Sequence, residues 1–111
     1  IDPILAVSGV KEMIRNFKGP RIAISPIIGD SALRGPAAKM MVEFGIEPSC
    51  VSVAKKFQDI CDIFVIDESD KRHVNTIRSF GLQVETFNTI MLSNEDKIDL
   101  ARRILKVVKL Y

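Results

Sequence analysis

The sequence predicts an α/β fold built on a three-layer parallel sheet. Three short runs, Ile22-Ala-Ile24, Cys61 to Ile66 and Leu82 to Phe87, are rich in apolar and β-branched residues and read as strands. Amphipathic stretches at helical spacing separate them. Glycine or proline closes those stretches, at Lys18-Gly19-Pro20, Gly45 and Gly81. Strand, helix, strand, helix, strand, helix is the order of parallel strands joined by right-handed crossovers.

Composition fits one domain of this kind. A chain of 111 residues forms one small unit over 1–111 and can bury about two-thirds of its unfolded surface. The 47% hydrophobic and 27% charged shares are ordinary for a globular protein. Sixteen basic against 14 acidic residues leave a net charge of +2, which gives no reason to expect nucleic acid or a membrane surface as partner. No apolar run reaches the ~18 residues of a spanning helix, and no signal-peptide pattern is present. Cys50 and Cys61 lack metal-ligand spacing and read as reduced packing thiols of an intracellular protein. No metal ligand is nominated.

Leu5 to Phe17 is helical in pattern. Leu5, Val10, Met13, Ile14 and Phe17 share one stripe, and Ser8 is the expected N-cap. The first strand spans Arg21 to Ser25. Pro26 stops it, because proline has no N–H for the ladder. A helix then runs from Pro36 to about Phe44, with Ala37, Met40, Met41 and Phe44 as its apolar face. Ser49 caps a short helix through Phe57.

The second strand, Cys61 to Ile66, leads into Asp67, Glu68 and Asp70. Ligands of open parallel sheets gather beyond the carboxyl ends of strands, so Asp67 can face one. Turn chemistry explains these residues more simply, with Ser69 or Asp70 capping a helix over Lys71 to Phe80. Val74, Ile77 and Phe80 point inward there, and His73 reads as a surface residue rather than a general base. The third strand puts Leu82, Val84 and Thr86 on one face. Ser93-Asn94-Glu95-Asp96 opens the last helix as a capping box, and Ile98, Ala101, Ile104, Leu105 and Val108 form its expected inner face.

The stretch that can bind a ligand lies between the first strand and the second helix. Ser25-Pro-Ile-Ile-Gly29 and Arg34-Gly-Pro-Ala-Ala-Lys39 form a glycine-bounded loop ahead of a helix start. Backbone N–H groups at such a start favour an anion. Arg34 and Lys39 oppose the helix dipole by roughly 0.3–1 kcal/mol each, and an anion between them would reverse that sign. Solvated surface cations covering apolar neighbours are the simpler alternative.

This loop resembles that of the 2-phospho-L-lactate transferases. Asp2-Pro-Ile-Leu-Ala-Val7 with Gly9, Phe64-Val-Ile-Asp-Glu68 with Asp70, and Thr89-Ile-Met91 match the same family in order and spacing. Ser8 departs from it, standing where the family has proline. The chain begins Ile1-Asp2-Pro3 and is similar to the C-terminal portion of a larger, Rossmann-like α/β fold. The resemblance implies transfer of a 2-phospholactyl group from lactyl-2-diphospho-5'-guanosine, or a close acyl analogue, to the deazaflavin FO. GMP would be released, in the biosynthesis of coenzyme F-420. It implies Mg2+ as cofactor, with metal ligands and the glycine-rich nucleotide loop in an N-terminal part outside this chain.

It also implies a guanosine diphosphate-linked phospholactate donor and a deazaflavin acceptor as partners, in an archaeal cytoplasm, and leaves a homodimer open. The residues it assigns to substrate binding are Pro3, Ile4, Leu5, Ala6, Ser25, Pro26, Ile27, Ile28, Gly29, Arg34, Gly35 and Lys39; it names no catalytic base. A related family of nucleotide or nucleotide-sugar binding regulators, without transfer activity, resembles only Pro3 to Gly9. The Ser25 to Lys39 loop separates the two readings in favour of the transferase. A segment with no activity of its own is the third reading, compatible with the first.

Overall fold

The computed structural model describes residues 5–29 and 36–110. Among them, helix α1 is Val10–Arg15, strand β1 is Ile22–Ile24, helix α2 is Pro36–Glu43 and helix α3 is Cys50–Phe57. Strand β2 is Ile63–Asp67, followed by a 3-10 helix over Glu68–His73 and helix α4 over Val74–Arg78. Strand β3, Gln83–Phe87, and helix α5, Asn94–Leu110, complete the chain.

The sheet has the order β1-β2-β3. Both pairings are parallel, as the sequence predicts. Ile22 pairs with Ile63, and Ile63 with Gln83. The base of the β1–β2 pair is clamped by Arg21, whose Nε donates to Asp62 Oδ2 at 3.1 Å and whose Nη2 donates to Asp62 Oδ1 at 2.8 Å. This fork geometry is the strong form of the arginine–carboxylate contact. It accounts for an acidic residue beside an otherwise apolar run.

All five residues of β2 are buried. Successive strand side chains point to opposite faces, so both faces of the central strand are covered. On one face Phe64 and Ile66 join Val84, Ala38 of α2, Val53 and Ala54 of α3 and Ile77 of α4 in a single core. Phe87 shares the register of Asp67 and so belongs to the other face, where Arg103 of α5 lies over its ring at 6.0 Å. Helices therefore flank the sheet on both sides, α2, α3 and α4 on one and α5 on the other. This is the three-layer α/β arrangement, Rossmann-like in its parallel strands and crossover helices.

Several local signals act as the sequence suggests. Ser49 caps α3, its hydroxyl accepting from Ser52 N at 3.2 Å. Gly45 takes φ +71° beyond α2. There Ile46 N donates to Met41 O at 2.8 Å and Gly45 N to Val42 O at 3.0 Å, the paired bonds of a Schellman stop. Ser93 Oγ accepts from Asp96 N at 3.2 Å, while Asp96 Oδ2 accepts from Leu92 N at 3.1 Å. That is the reciprocal pattern of a capping box, reaching one residue further back.

Other expectations are corrected. The Gly9 backbone, at φ +86°, starts α1 without a side-chain cap, so Ser8 is not the cap. Met13 is 73% and Phe17 61% exposed, so the α1 stripe does not enter the core of the described residues. Met41 and Ala37 pack against the core, but Met40 and Phe44 stand out from it. The helix expected over 71–80 is divided, its first turn belonging to the 3-10 segment that ends at His73 and its α-helical part running only over Val74–Arg78. Its cap is Asp67, which ends β2, rather than Ser69 or Asp70.

On α5, Leu100 is buried and Ile104, Val107 and Val108 are half-buried, whereas Ile98, Ala101 and Leu105 are exposed. Of the expected inner face, Ile104 and Val108 turn inward, and Leu100 and Val107 replace Ile98, Ala101 and Leu105 beside them.

Caps give a direct check. Ser49→Ala is expected to lower stability by about 1 kcal/mol, because the Ser52 N–H loses its acceptor. Ser8→Ala is expected to stay within about 0.5 kcal/mol of the parent. Urea unfolding of both variants reads the difference.

Candidate functional site

The candidate site lies where the three strands end at their carboxyl edge. β1 delivers Ser25, whose N–H donates to Val65 O at 2.9 Å and prolongs the β1–β2 ladder by one bond. Its buried hydroxyl accepts from Ile27 N and donates to Ile27 O, both at 3.1 Å. Ser25 thus folds the loop back on itself and tucks Ile27 into the core, where it is 3% exposed. Gly29 takes φ +72°, a left-handed conformation that suits glycine. Its N–H donates to Asp70 Oδ2 at 3.1 Å.

β2 delivers two buried carboxylates, Asp67 and Asp70. Asp67 Oδ2 accepts from Ser69 N at 3.0 Å and Ser69 Oγ at 2.6 Å. Its Oδ1 accepts from Thr89 N at 2.9 Å and Thr89 Oγ1 at 3.0 Å. Burial alone would raise the Asp67 pKa, but these donors outweigh it and hold the carboxyl below its ordinary range. With both oxygens engaged, Asp67 is a structural tie rather than a ligand-facing group. The turn-and-cap explanation of this acidic run therefore holds, though through Asp67 itself. Asp70 performs the matching task toward the β1 loop.

The sequence-predicted residues divide as follows. Pro3, Ile4, Arg34 and Gly35 lie outside the described residues. Ser25, Ile27 and Gly29 shape the loop as above, and Ile28 beside them is half-buried. Leu5 is half-buried, and Lys39 is exposed on α2. Ala6 and Pro26 come together, as two walls of a cavity of about 530 Å³ lined also by Ala37, Met40, Met41, Phe44 and Phe57. The cavity explains the uncovered half of the α2 apolar face. Sequence reasoning missed it because its walls come from four separated segments.

It also missed a cluster beside the loop. Cys50 opens α3, Asp70 kinks the 3-10 helix and His73 ends it, and one ligating atom of each lies within 4.8 Å of the others. His73 is half-buried rather than on the surface. Both cysteines are free and buried, as expected. Burial, and then the charge of Asp70, push the Cys50 thiol up to about 11. Mg2+ prefers an octahedral set of hard oxygens. Asp67 is saturated and Asp70 stands with a thiol and an imidazole, so the described residues do not form an Mg2+ site.

The chain is similar over nearly its whole length to curated 2-phospho-L-lactate transferases. It is 36% identical over 106 residues to that of Methanosarcina mazei, which covers 96% of this chain and 34% of the relative. It is 38% identical over 106 residues to that of Methanocaldococcus jannaschii, with 96% of this chain and 32% of the relative covered. It is 38% identical over 109 residues to that of Methanococcus maripaludis, with 98% and 34% covered. No family model matches. The resemblance carried by the loop motifs therefore holds, and the chain spans about a third of the length of the relatives it matches. Among the described residues, no helix is long and apolar enough to cross a membrane.

Asp67 supplies the test of this frame. Asp67→Asn places an amide N–H toward donors that need an acceptor, and is expected to cost roughly 2–3 kcal/mol. The lowered carboxyl has a signed consequence. Its contribution is complete above the unfolded value of 3.8 and is lost as pH falls through the lower folded value. Urea unfolding across the acid range is expected to show this loss in the parent and a smaller one in Asp67→Asn.

Proposed function

We propose that this chain forms part of a phospholactyl transferase. The enzyme would move the 2-phospholactyl group of lactyl-2-diphospho-5'-guanosine, or a close acyl analogue, onto the deazaflavin FO in coenzyme F-420 biosynthesis. The bond from the phospholactyl phosphorus to the bridging oxygen breaks, and that oxygen leaves on GMP. The observation that carries the reading is the Ser25 to Lys39 loop, set in a chain that matches 2-phospho-L-lactate transferases over 96% of its length. That loop also separates this reading from a nucleotide-binding regulator.

Transfer of this kind depends on positioning and on neutralising phosphate charge. Arg34 and Lys39 supply that charge, from either side of the helix start at Pro36. Ser25, Ile27 and Gly29 spend their side chain or N–H on shaping the loop, so their task is to hold its backbone in place for the donor. Ala6 and Pro26 line the adjoining cavity, and in sequence Pro3, Ile4 and Leu5 directly precede Ala6. The adjoining cavity is mainly apolar, and walls such as Met40 and Phe44 suit a planar ring such as the acceptor's. Mg2+ belongs to this reading as an ion held by residues outside this chain.

Arg34→Ala and Lys39→Ala, made separately in the full-length protein, test the assignment. A charge-assisted phosphate contact contributes roughly 1.5–3 kcal/mol, so each loss is expected to weaken GDP or donor binding about tenfold or more. Calorimetry reads the affinity, and a thermal melt checks that folding is unchanged. Parent affinity in both variants would reduce the loop to a structural turn.

A further inference from the structure

Cys50, Asp70 and His73 are used by nothing in the transfer chemistry above, yet they converge. They come from two segments, Cys50 from one and Asp70 with His73 from the other, and their ligating atoms lie within 4.8 Å of one another. We propose that these three side chains form a binding site for a borderline-soft divalent cation, with zinc as the type ion. Cys50 contributes a thiolate, His73 an imidazole nitrogen and Asp70 a carboxylate oxygen, and water completes the tetrahedron.

The donor set selects the ion. Thiolate and imidazole suit zinc and cobalt, whereas Mg2+ and Ca2+ take oxygen. Zinc–ligand bonds of about 2.0–2.3 Å put tetrahedral donors roughly 3.3–3.8 Å apart. The observed limit of 4.8 Å is wider than that, so the three side chains draw together on binding.

The scaffold gathers the same atoms. Cys50 is the first residue of α3, behind the Ser49 cap, and because burial and the Asp70 charge raise its thiol, a bound divalent cation must displace the thiol proton. Asp70 and His73 are three residues apart in the 3-10 segment, and the kink at Asp70 leaves their ligating atoms within 4.8 Å of each other and of Cys50. The departure of Asp70 from helical geometry belongs to the turn that carries its carboxylate into the core. Asp70 Oδ2 also holds Gly29 N, so an ion here would stiffen the loop after β1 from beneath. The site is independent of the transferase reading, because it uses none of the residues assigned to donor or acceptor.

Cobalt titration tests it. The purified protein is stripped with a chelator under reducing conditions and titrated with Co2+. Expected are a thiolate-to-cobalt charge-transfer band in the near ultraviolet, tetrahedral ligand-field bands in the visible, and displacement of both by one equivalent of Zn2+. Cys61→Ser is expected to keep all three. Cys50→Ser is expected to lose the charge-transfer band, and His73→Ala to weaken Co2+ binding at least tenfold, each with a folded circular dichroism spectrum. Should Cys50→Ser fail to fold, the His73→Ala titration decides alone. No charge-transfer band in the parent, a band that survives in folded Cys50→Ser, or unchanged affinity in His73→Ala would each overturn the proposal.

Discussion

Two buried carboxylates at the end of the central strand hold this structure's working edge together. Asp67 gathers the turn that follows it and the Thr89 loop beyond β3, while Asp70 gathers Gly29 of the loop beyond β1. Both are about 2% exposed. A buried charge is costly unless donors surround it, and here the donors are largely backbone N–H groups of loops that would otherwise be weakly ordered. Satisfying each carboxylate and fixing each loop are one event. Removing either charge releases a loop as well as leaving polar groups unmatched.

This explains why the segments that resemble the transferases are separated in sequence yet form one region. Ser25 to Gly29, Phe64 to Asp70 and Thr89 to Met91 meet through these bonds. At the opposite end the Arg21–Asp62 fork performs the same service for the start of β1 and β2. Between the two ends the sheet is apolar, with β2 covered on both faces. The result is a rigid middle with polar locks at its rims. The loop ahead of α2 extends from the rim that carries the carboxylates, where ligands of parallel sheets gather.

The helices are less completely enclosed than the sheet. α3 and α4 close over Phe64 and Ile66, but α1 and α2 leave Met13, Phe17, Met40 and Phe44 standing out. The last two border the cavity beside Pro26, which joins an apolar wall to the loop. One end of the sheet therefore offers two different chemistries within a few segments, an apolar pocket and a thiol–carboxylate–imidazole cluster.

The sequence by itself determined the three strands, their parallel sense, and most helix ends. These depend on neighbours in the chain: the Ser49 hydroxyl three residues from its donor, Gly45 with its left-handed φ, and Ser93 opposite Asp96. Strand alternation was equally legible, placing Leu82 and Val84 correctly. The loop motif was legible as a pattern, and its kinship followed from the residues themselves.

Tertiary structure alone decided that Leu100 and Val107 rather than Ile98, Ala101 and Leu105 join Ile104 and Val108 on the inner side of α5, that Asp67 would seek Thr89, and that Asp70 would seek Gly29. It alone brought His73 to Cys50. The physical reason is separation. Asp70 and Gly29 are 41 residues apart and Asp67 and Thr89 are 22 apart, distances at which no periodicity or capping rule operates. Only the parallel register of three strands brings their ends together.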